Sequence, residues 1–149
     1  MTQFSNQRIK HIDELVIYAD GGARGNPGPA AFGAVLYKKE SGGKLAVVEK
    51  LSKFLGVRTN NQAEYEGVIA SLSKAKELGV EKVTCFLDSE LLVEQLNLRY
   101  RVKNKELASL FLKAWNLAQN FKKITFHHIP REKNKVADRL VNEALDKIS

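Results

Sequence analysis

The sequence contains little of what disulfide-bonded, zinc-binding or membrane proteins need. Cys85 is the one cysteine, so no internal disulfide can form, and the three histidines make no His/Cys set for Zn²⁺. Cys85 lies in an apolar run, where we expect a buried hydrophobic side chain. No segment approaches the roughly 18 apolar residues of a membrane helix, and the polar N-terminus lacks a signal-peptide core. These absences predict a cytoplasmic protein that makes no membrane contact.

Positive charge exceeds negative charge along the chain. The 149 residues include 24 Lys and Arg against 17 Asp and Glu, a net charge of +7, and 44% are hydrophobic, enough for one core. A basic domain favours a polyanionic partner such as nucleic acid, although a modest excess also serves solubility. No repeat, linker or low-complexity segment divides the sequence. We therefore expect a polar tail over residues 1–13, one domain over residues 14–149, and a monomer.

Hydrophobic periodicity predicts strands and helices in the order βββαβααβα. The strands are expected at residues 15–19, 30–39, 44–54, 82–87 and 124–129, and the helices at residues 60–79, 89–97, 104–121 and 134–148. A hairpin-bearing sheet followed by crossover helices indicates an α/β fold with a mixed sheet and helices packed on it.

Four acidic residues stand where these elements begin or end. Asp20 and Asp88 follow apolar strands, whereas Glu64 and Asp138 lie in early helical turns, each ahead of a buried stripe. Ligands of open α/β sheets bind at the carboxyl edge of the strands, and the helical spacing directs Glu64 and Asp138 to that same edge. We therefore expect the four side chains to converge.

Each acid also has a purely structural interpretation. Asp20 suits a turn before glycines, Asp88 suits a helix N-cap, and Glu64 and Asp138 suit the positive end of a helix dipole, worth about 0.3–1 kcal/mol. Four carboxylates at one edge, however, would repel by about 4 kcal/mol per close pair at an effective dielectric of 20, and divalent cations relieve that repulsion. Oxygen ligands favour Mg²⁺, or Mn²⁺, over Zn²⁺.

Uncharged polar residues surround the predicted acid cluster. They occur in the glycine-rich segment 20–30 and in the run 59–62, which reads Thr-Asn-Asn-Gln. The glycine-rich segment lacks the spacing of a dinucleotide-binding turn, and its prolines lead into a strand. Such groups suit ribose hydroxyls and phosphate oxygens, although Thr-Asn-Asn is also a good helix cap.

Taken in order, these motifs resemble type 1 ribonuclease H. The resemblance rests on segments 20–30, 59–65 and 87–90 and on the spacing of Asn134 and Asp138, and it spans residues 14–148. It implies a ribonuclease H-like fold with a five-stranded sheet. Its first three strands would be antiparallel and its last two parallel to the first, with helices packed on both faces.

The resemblance also implies an activity. The chain is expected to be an endonuclease that hydrolyses the RNA strand of RNA/DNA hybrids, using two Mg²⁺ ions and leaving 5′-phosphate and 3′-hydroxyl ends. By that likeness, the metal-binding catalytic residues are Asp20, Glu64, Asp88 and Asp138. The expected substrate contacts are Gly21, Gly22, Asn26, Thr59, Asn60, Asn61, Gln62 and Asn134. Two alternatives stay open: a nuclease of this fold that acts on DNA or junctions, and a non-catalytic hybrid-binding module.

Two features depart from many members of that family. A basic protrusion is absent, because residues 98–103 run almost directly into the next helix. The loop before the last helix is short and lacks a histidine, so we expect Arg131 in that place, as a catalytic residue. A permanently charged guanidinium can stabilise a phosphate but cannot shuttle a proton. His127 and His128 are expected to be structural, with one ring directed into the sheet packing.

Overall fold

The computed structural model describes residues 12–148. Five strands form one sheet: β1 (Glu14–Ala23), β2 (Gly28–Lys39), β3 (Leu45–Arg58), β4 (Lys82–Leu87) and β5 (Lys123–His128). The helices of the described residues are α1 (Asn60–Glu77), α2 (Glu90–Leu96), α3 (Lys105–Ala118) and α4 (Lys135–Asp146). Short 3₁₀ turns at Ser41–Gly43 and Arg131–Lys133 precede β3 and α4.

The strand order in the sheet is β3-β2-β1-β4-β5. β1, β2 and β3 are antiparallel neighbours, whereas β4 runs parallel to β1 and β5 runs parallel to β4. The chain reaches β4 through α1 and β5 through α2 and α3, because parallel neighbours need a long crossover. The predicted mixed five-stranded sheet is confirmed.

Helices cover both faces of the sheet, as predicted. Val68, Leu72 and Ala75 of α1 are fully buried. Neighbouring residues of a strand point to opposite faces, and here Phe32 of β2 lies against α1 whereas Gly33 lies against α4. The two helices therefore enclose β1 and β2 from opposite sides.

The ends of β1 and α4 differ from the prediction. β1 continues past Ala19 to Ala23, because residues 20–23 pair with β2 after the pairing with β4 has ended. Asp20 therefore lies inside a strand, and the predicted glycine-rich loop shrinks to residues 24–27. At the other end of the chain, α4 ends at Asp146, so Ile148 is 58% exposed and does not continue the buried stripe.

The predicted polar tail lies largely outside the described residues. At its end, Ile12 packs against the core, and the Asp13 carbonyl accepts hydrogen bonds from the backbone N–H groups of Glu81 and Lys82 at 3.2 and 3.0 Å. The chain is thus packed against β4 before residue 14. Among the described helices, none has the length and apolar character that crossing a membrane would require.

Candidate active site

Three carboxylates meet at one edge of the sheet. One oxygen each from Asp20, Glu64 and Asp88 lies within 4.8 Å of the others, and all three residues are half-buried. Asp20 and Asp88 come from the adjacent parallel strands β1 and β4, whose pairing ends at Ala19 opposite Leu87. The parallel register therefore places these two acids side by side, one residue beyond the last pair.

Glu64 reaches the two strands because a glycine permits the close approach of α1. A Cβ atom on Gly21 would overlap the backbone of Ala63 and Glu64. The start of α1 is held by a capping box, in which Thr59 Oγ1 accepts from the Gln62 backbone at 3.1 Å and Gln62 Oε1 accepts from the Thr59 backbone at 2.9 Å. The cap and the glycine together direct Glu64 at the sheet edge.

Asp138 lies beside this trio but is not a member of it. It is half-exposed in the first turn of α4, near enough for its charge to contribute to raising the pKa of Asp20. α4 approaches the sheet over Gly33, the residue paired with Asp20, where a Cβ would overlap the Ala137 carbonyl and the Leu140 side chain. Three of the four predicted acids therefore converge, with the fourth at their side.

Burial and repulsion from neighbouring carboxylates raise the pKa values of Asp20 and Glu64. Burial, reinforced by the charge of Asp88, raises the pKa of Asp20 to about 7, against the opposing effect of a 2.9 Å hydrogen bond from the Gly21 N–H. Burial and then the charges of Asp20 and Asp88 raise the pKa of Glu64 well above its usual range. The cluster therefore resists full ionisation unless positive charge is supplied.

We expect the metal-free protein to lose stability as the pH rises from about 4 to about 7. Asp20 titrates near 3.8 when unfolded but near 7 when folded, so the folded state holds an extra proton between these values and loses it as the pH rises. The difference between these two pKa values corresponds to about 4 kcal/mol in the free energy of unfolding, at 1.36 kcal/mol per pKa unit. Denaturant unfolding in EDTA across this range measures the slope. Asp20→Asn should remove much of the slope, and an unchanged slope in that variant would contradict the prediction.

Arg131 lies within electrostatic reach of the acids. It begins the 3₁₀ turn before α4, its side chain is exposed, and its charge partly offsets the raised pKa values of Asp20 and Glu64. This is the place predicted for it in the shortened loop. Its catalytic role stays a prediction.

The expectation that one of the two β5 histidines points into the sheet packing is wrong. His127 and His128 are both exposed. β5 is the strand at one edge of the sheet, and α4 packs over β1, β2 and β3, away from that edge. The His127 ring lies 5.5 Å, centroid to centroid, from the Phe86 ring, and its Nε2 is 3.0 Å from Thr125 Oγ1.

Several predicted substrate contacts join the β1–β2 loop to the start of α1. Asn26 Oδ1 accepts from the Asn60 backbone at 3.0 Å, and Asn60 Oδ1 accepts from the Ala23 backbone at 2.8 Å. Gln62 Nε2 donates to Glu106 Oε2 at 2.7 Å, in addition to its capping bond. These amide groups already have protein partners, which shape the surface beside the acids.

Asn61 and Gly22 differ from those engaged residues. Both are half-buried at the same surface, and the Asn61 side chain has no hydrogen bond to another described residue. Within the run 59–62, Asn61 is thus the side chain with free donor and acceptor groups.

Asn134 and Gly21 lie beneath the surface where substrate contacts were predicted. Asn134 is 1% exposed, and its Nδ2 donates to Asp88 Oδ2 and to the Ala19 carbonyl, each at 2.9 Å. It therefore ties α4 to both acid-bearing strands and orients Asp88. Gly21 is buried under α1, so its contribution is the close helix approach.

Ser89 was missed by the interpretation of the sequence. It is the N-cap of α2, with Oγ accepting from the Leu92 backbone N–H at 3.3 Å, and its hydroxyl, close to Glu64, partly offsets the raised pKa of that acid. The cap is therefore Ser89, so the alternative interpretation of Asp88 as the N-cap is wrong. The sequence did contain a signal for this cap, because a serine stands directly between the acid that ends the strand and the helix that follows.

The fold and the acid cluster define a ribonuclease H-type domain, and comparison with known proteins agrees. The sequence profile described as reverse transcriptase-like matches residues 18–144, so the chain belongs to that family. The predicted resemblance to type 1 ribonuclease H is confirmed by relatives and structures that carry this name.

Three proteins illustrate the relationship. Bifunctional protein Rv2228c of Mycobacterium tuberculosis is 44% identical over 133 residues, which cover 89% of this chain and 36% of that protein. The structure of its N-terminal RNase H domain, fused to maltose-binding protein, has a TM-score of 0.84 at 43% identity and covers 89% of this chain and 99% of that one. This chain thus spans about a third of Rv2228c.

Ribonuclease HI of Halobacterium salinarum is 39% identical over 129 residues, which cover 87% of this chain and 63% of that protein. Its crystal structure has a TM-score of 0.84 at 37% identity, covering 90% and 98% of the two chains. LC11-RNase H1, solved in complex with an RNA/DNA hybrid, has a TM-score of 0.82 at 42% identity and covers 90% and 98%.

Proposed function

We propose that this protein is a metal-dependent endonuclease that hydrolyses the RNA strand of RNA/DNA hybrids and leaves 5′-phosphate and 3′-hydroxyl ends. The observation that carries the proposal is the trio of Asp20, Glu64 and Asp88 oxygens within 4.8 Å of one another. Its support is the likeness to LC11-RNase H1, which was solved with such a hybrid.

The donor set fits Mg²⁺ or Mn²⁺. The trio offers carboxylate oxygens alone, with no histidine or cysteine. Burial and then neighbouring carboxylates raise the pKa values of Asp20 and Glu64, an effect that a bound cation would oppose. Asp138 would complete the set on the Asp20 side. A pair of such ions, when bound, would activate water and stabilise the leaving oxygen.

The protein's own residues hold the site in shape. Asn134 donates to Asp88, the Gly21 N–H donates to Asp20 and the Ser89 hydroxyl lies by Glu64, so each of the three clustered acids has an uncharged polar partner. Arg131 can contact the phosphate group that is cleaved, and its positive charge would stabilise negative charge developing there. Monomeric state and cytoplasmic location stay predictions.

Cleavage of end-labelled substrates tests the proposal. An RNA/DNA hybrid, a DNA duplex and a branched DNA junction are each incubated with Mg²⁺, with Mn²⁺ and with EDTA. We expect cleavage of the RNA strand of the hybrid alone, and only with metal. Cleavage of DNA would favour the alternative nuclease, whereas binding of the hybrid without cleavage in either metal would favour the non-catalytic module.

Asn61→Ala should weaken hybrid cleavage without unfolding the protein. Its amide is free to contact a ribose 2′-hydroxyl, and losing one such hydrogen bond should lower kcat/KM about tenfold. Steady-state cleavage of the hybrid measures this, and thermal unfolding checks the fold. Asn116→Ala, an exposed asparagine on α3, is the matched control. Equal activity of the two variants would remove Asn61 from the substrate-binding set.

A further inference from the structure

A second concave site lies on the sheet face that carries α4. Its volume is about 420 Å³, and it opens between the sheet and the 3₁₀ turn that precedes α4. It is lined by Tyr18, Tyr37, Leu45, Glu132, Lys133, Asn134, Lys135 and Val136. Its volume falls within the range of small-molecule sites, and no residue of the acid trio lines it.

The floor of this cavity is aromatic. The rings of Tyr18 and Tyr37 lie 5.8 Å apart, centroid to centroid, at 89° to each other, and both residues are half-exposed. Two perpendicular rings form an apolar corner. Tyr18 already stacks on Phe86, with the ring centroids 5.0 Å apart, so a flat ring in this corner has the Tyr37 ring to lie against. Leu45, 38% exposed, extends the apolar surface.

The rim of the cavity is cationic. Lys133 and Lys135 are exposed, and neither makes an ion pair with another described residue. Glu132 also lines the cavity, so the three side chains carry a net charge of +1. An aromatic floor beside two available lysines suits a ligand that combines a flat ring with an anionic group.

Asn134 is a polar residue in the cavity lining. Both of its Nδ2 hydrogens are directed at acceptors, Asp88 Oδ2 and the Ala19 carbonyl, so a flipped amide would set oxygen against oxygen. The amide orientation is thus determined. Its Oδ1 is buried and accepts no hydrogen bond from any described residue. This oxygen has almost no solvent-accessible surface, so Asn134 shapes the wall of the cavity and offers no bond to a ligand there.

We propose that this cavity binds a nucleoside 5′-monophosphate. The base lies in the corner of Tyr18 and Tyr37, and the phosphate contacts Lys133 and Lys135. The aromatic corner and both lysines then have a chemical partner, whereas an apolar ligand would leave the lysines without one. The site is distinct from the acid trio, but Asn134 is common to both.

Titration of the protein with AMP in EDTA, followed by ¹H–¹⁵N NMR, tests the proposal. EDTA prevents the phosphate from binding through divalent ions at the acid trio, so the result does not depend on the proposed nuclease activity. We expect saturable shifts centred on residues 132–136, including the Asn134 side-chain amide, with a Kd between about 10 µM and 1 mM. Adenosine and ribose 5-phosphate should each bind at least about tenfold more weakly, because each lacks half of the contacts.

Paired lysine variants separate this site from general attraction of an anion to a basic protein. Replacing both Lys133 and Lys135 with alanine should weaken AMP binding at least about tenfold, as should Tyr37→Leu. The matched control replaces Lys82 and Lys123, two exposed lysines at the far end of β4 and β5, and should leave the Kd unchanged. The proposal is overturned if AMP does not saturate, if shifts centre on the acid trio, or if both lysine pairs lose affinity equally.

Discussion

Replacing Asp88 with asparagine should abolish hybrid cleavage, and replacing Asp20 should do the same. Each residue contributes one of three oxygens that lie within 4.8 Å of one another, and a neutral amide cannot balance the charge of a divalent ion. We expect activity to fall by about 10³-fold or more, because removing only an outer hydrogen-bond partner of a metal ligand already lowers activity about 10–100-fold. Single-turnover cleavage of a labelled hybrid in Mg²⁺ measures the loss.

The same variants should fold normally. In the absence of metal, removing one charge from the cluster relieves repulsion, so thermal unfolding in EDTA at neutral pH should occur at an equal or higher temperature. Glu77→Gln removes an exposed carboxylate at the end of α1 and serves as the control for lost charge. Activity within tenfold of wild type in Asp20→Asn or Asp88→Asn would contradict the assignment of the site.

Arg131→Ala should lower turnover by about 10²–10³-fold, the loss that follows removal of one transition-state donor. The Arg131 side chain is exposed beside the acids, and its charge is felt by both Asp20 and Glu64. Arg131→Lys should restore only part of the activity, since an ammonium group lacks the planar fork of a guanidinium. The pH–rate profile should keep its shape in both variants, because the guanidinium does not titrate.

Arg139→Ala is the matched control for this prediction, since it removes an exposed arginine from the adjacent turn of α4. It should change turnover less than about threefold, as expected for an exposed side chain whose charge is not among those that act on Asp20 and Glu64. If His128→Ala were instead the disabling change and Arg131→Ala nearly silent, the histidine would be the functional residue. The expectation that Arg131 takes the place of the histidine in the shortened loop would then be wrong.

Hydrophobic periodicity and capping residues predict correctly those strands and helices whose ends depend on neighbouring residues in the sequence. The strand at residues 82–87 was predicted at its observed bounds, and the start of α1 agrees with its Thr59 cap. β1 was predicted too short, because residues 20–23 contain two glycines and become a strand only through pairing with β2. Such pairing depends on residues that are distant in the sequence, and the hydrophobic periodicity of a short segment carries no information about them.

For the candidate site too, some features could be predicted from the sequence and others depend on the tertiary structure. The types and order of the acids, with the motifs around them, were sufficient to predict a type 1 ribonuclease H and the identity of Asp20, Glu64 and Asp88. The sequence could not show that Asn134 is buried under Asp88, or that Asp138 stands apart from the trio. Hydrogen-bond partners and distances of this kind depend on how α4 packs over Gly33.

The sequence by itself therefore determined the class of protein and its fold, because carboxylates, caps and glycines act through residue type and short-range spacing. Only the tertiary structure decided which polar groups are free. Asn61 is available to a substrate while Gln62 is held by Glu106, although both lie in one run of polar residues. The reason is physical: a hydrogen bond between residues 62 and 106 exists only after α1 and α3 have packed together.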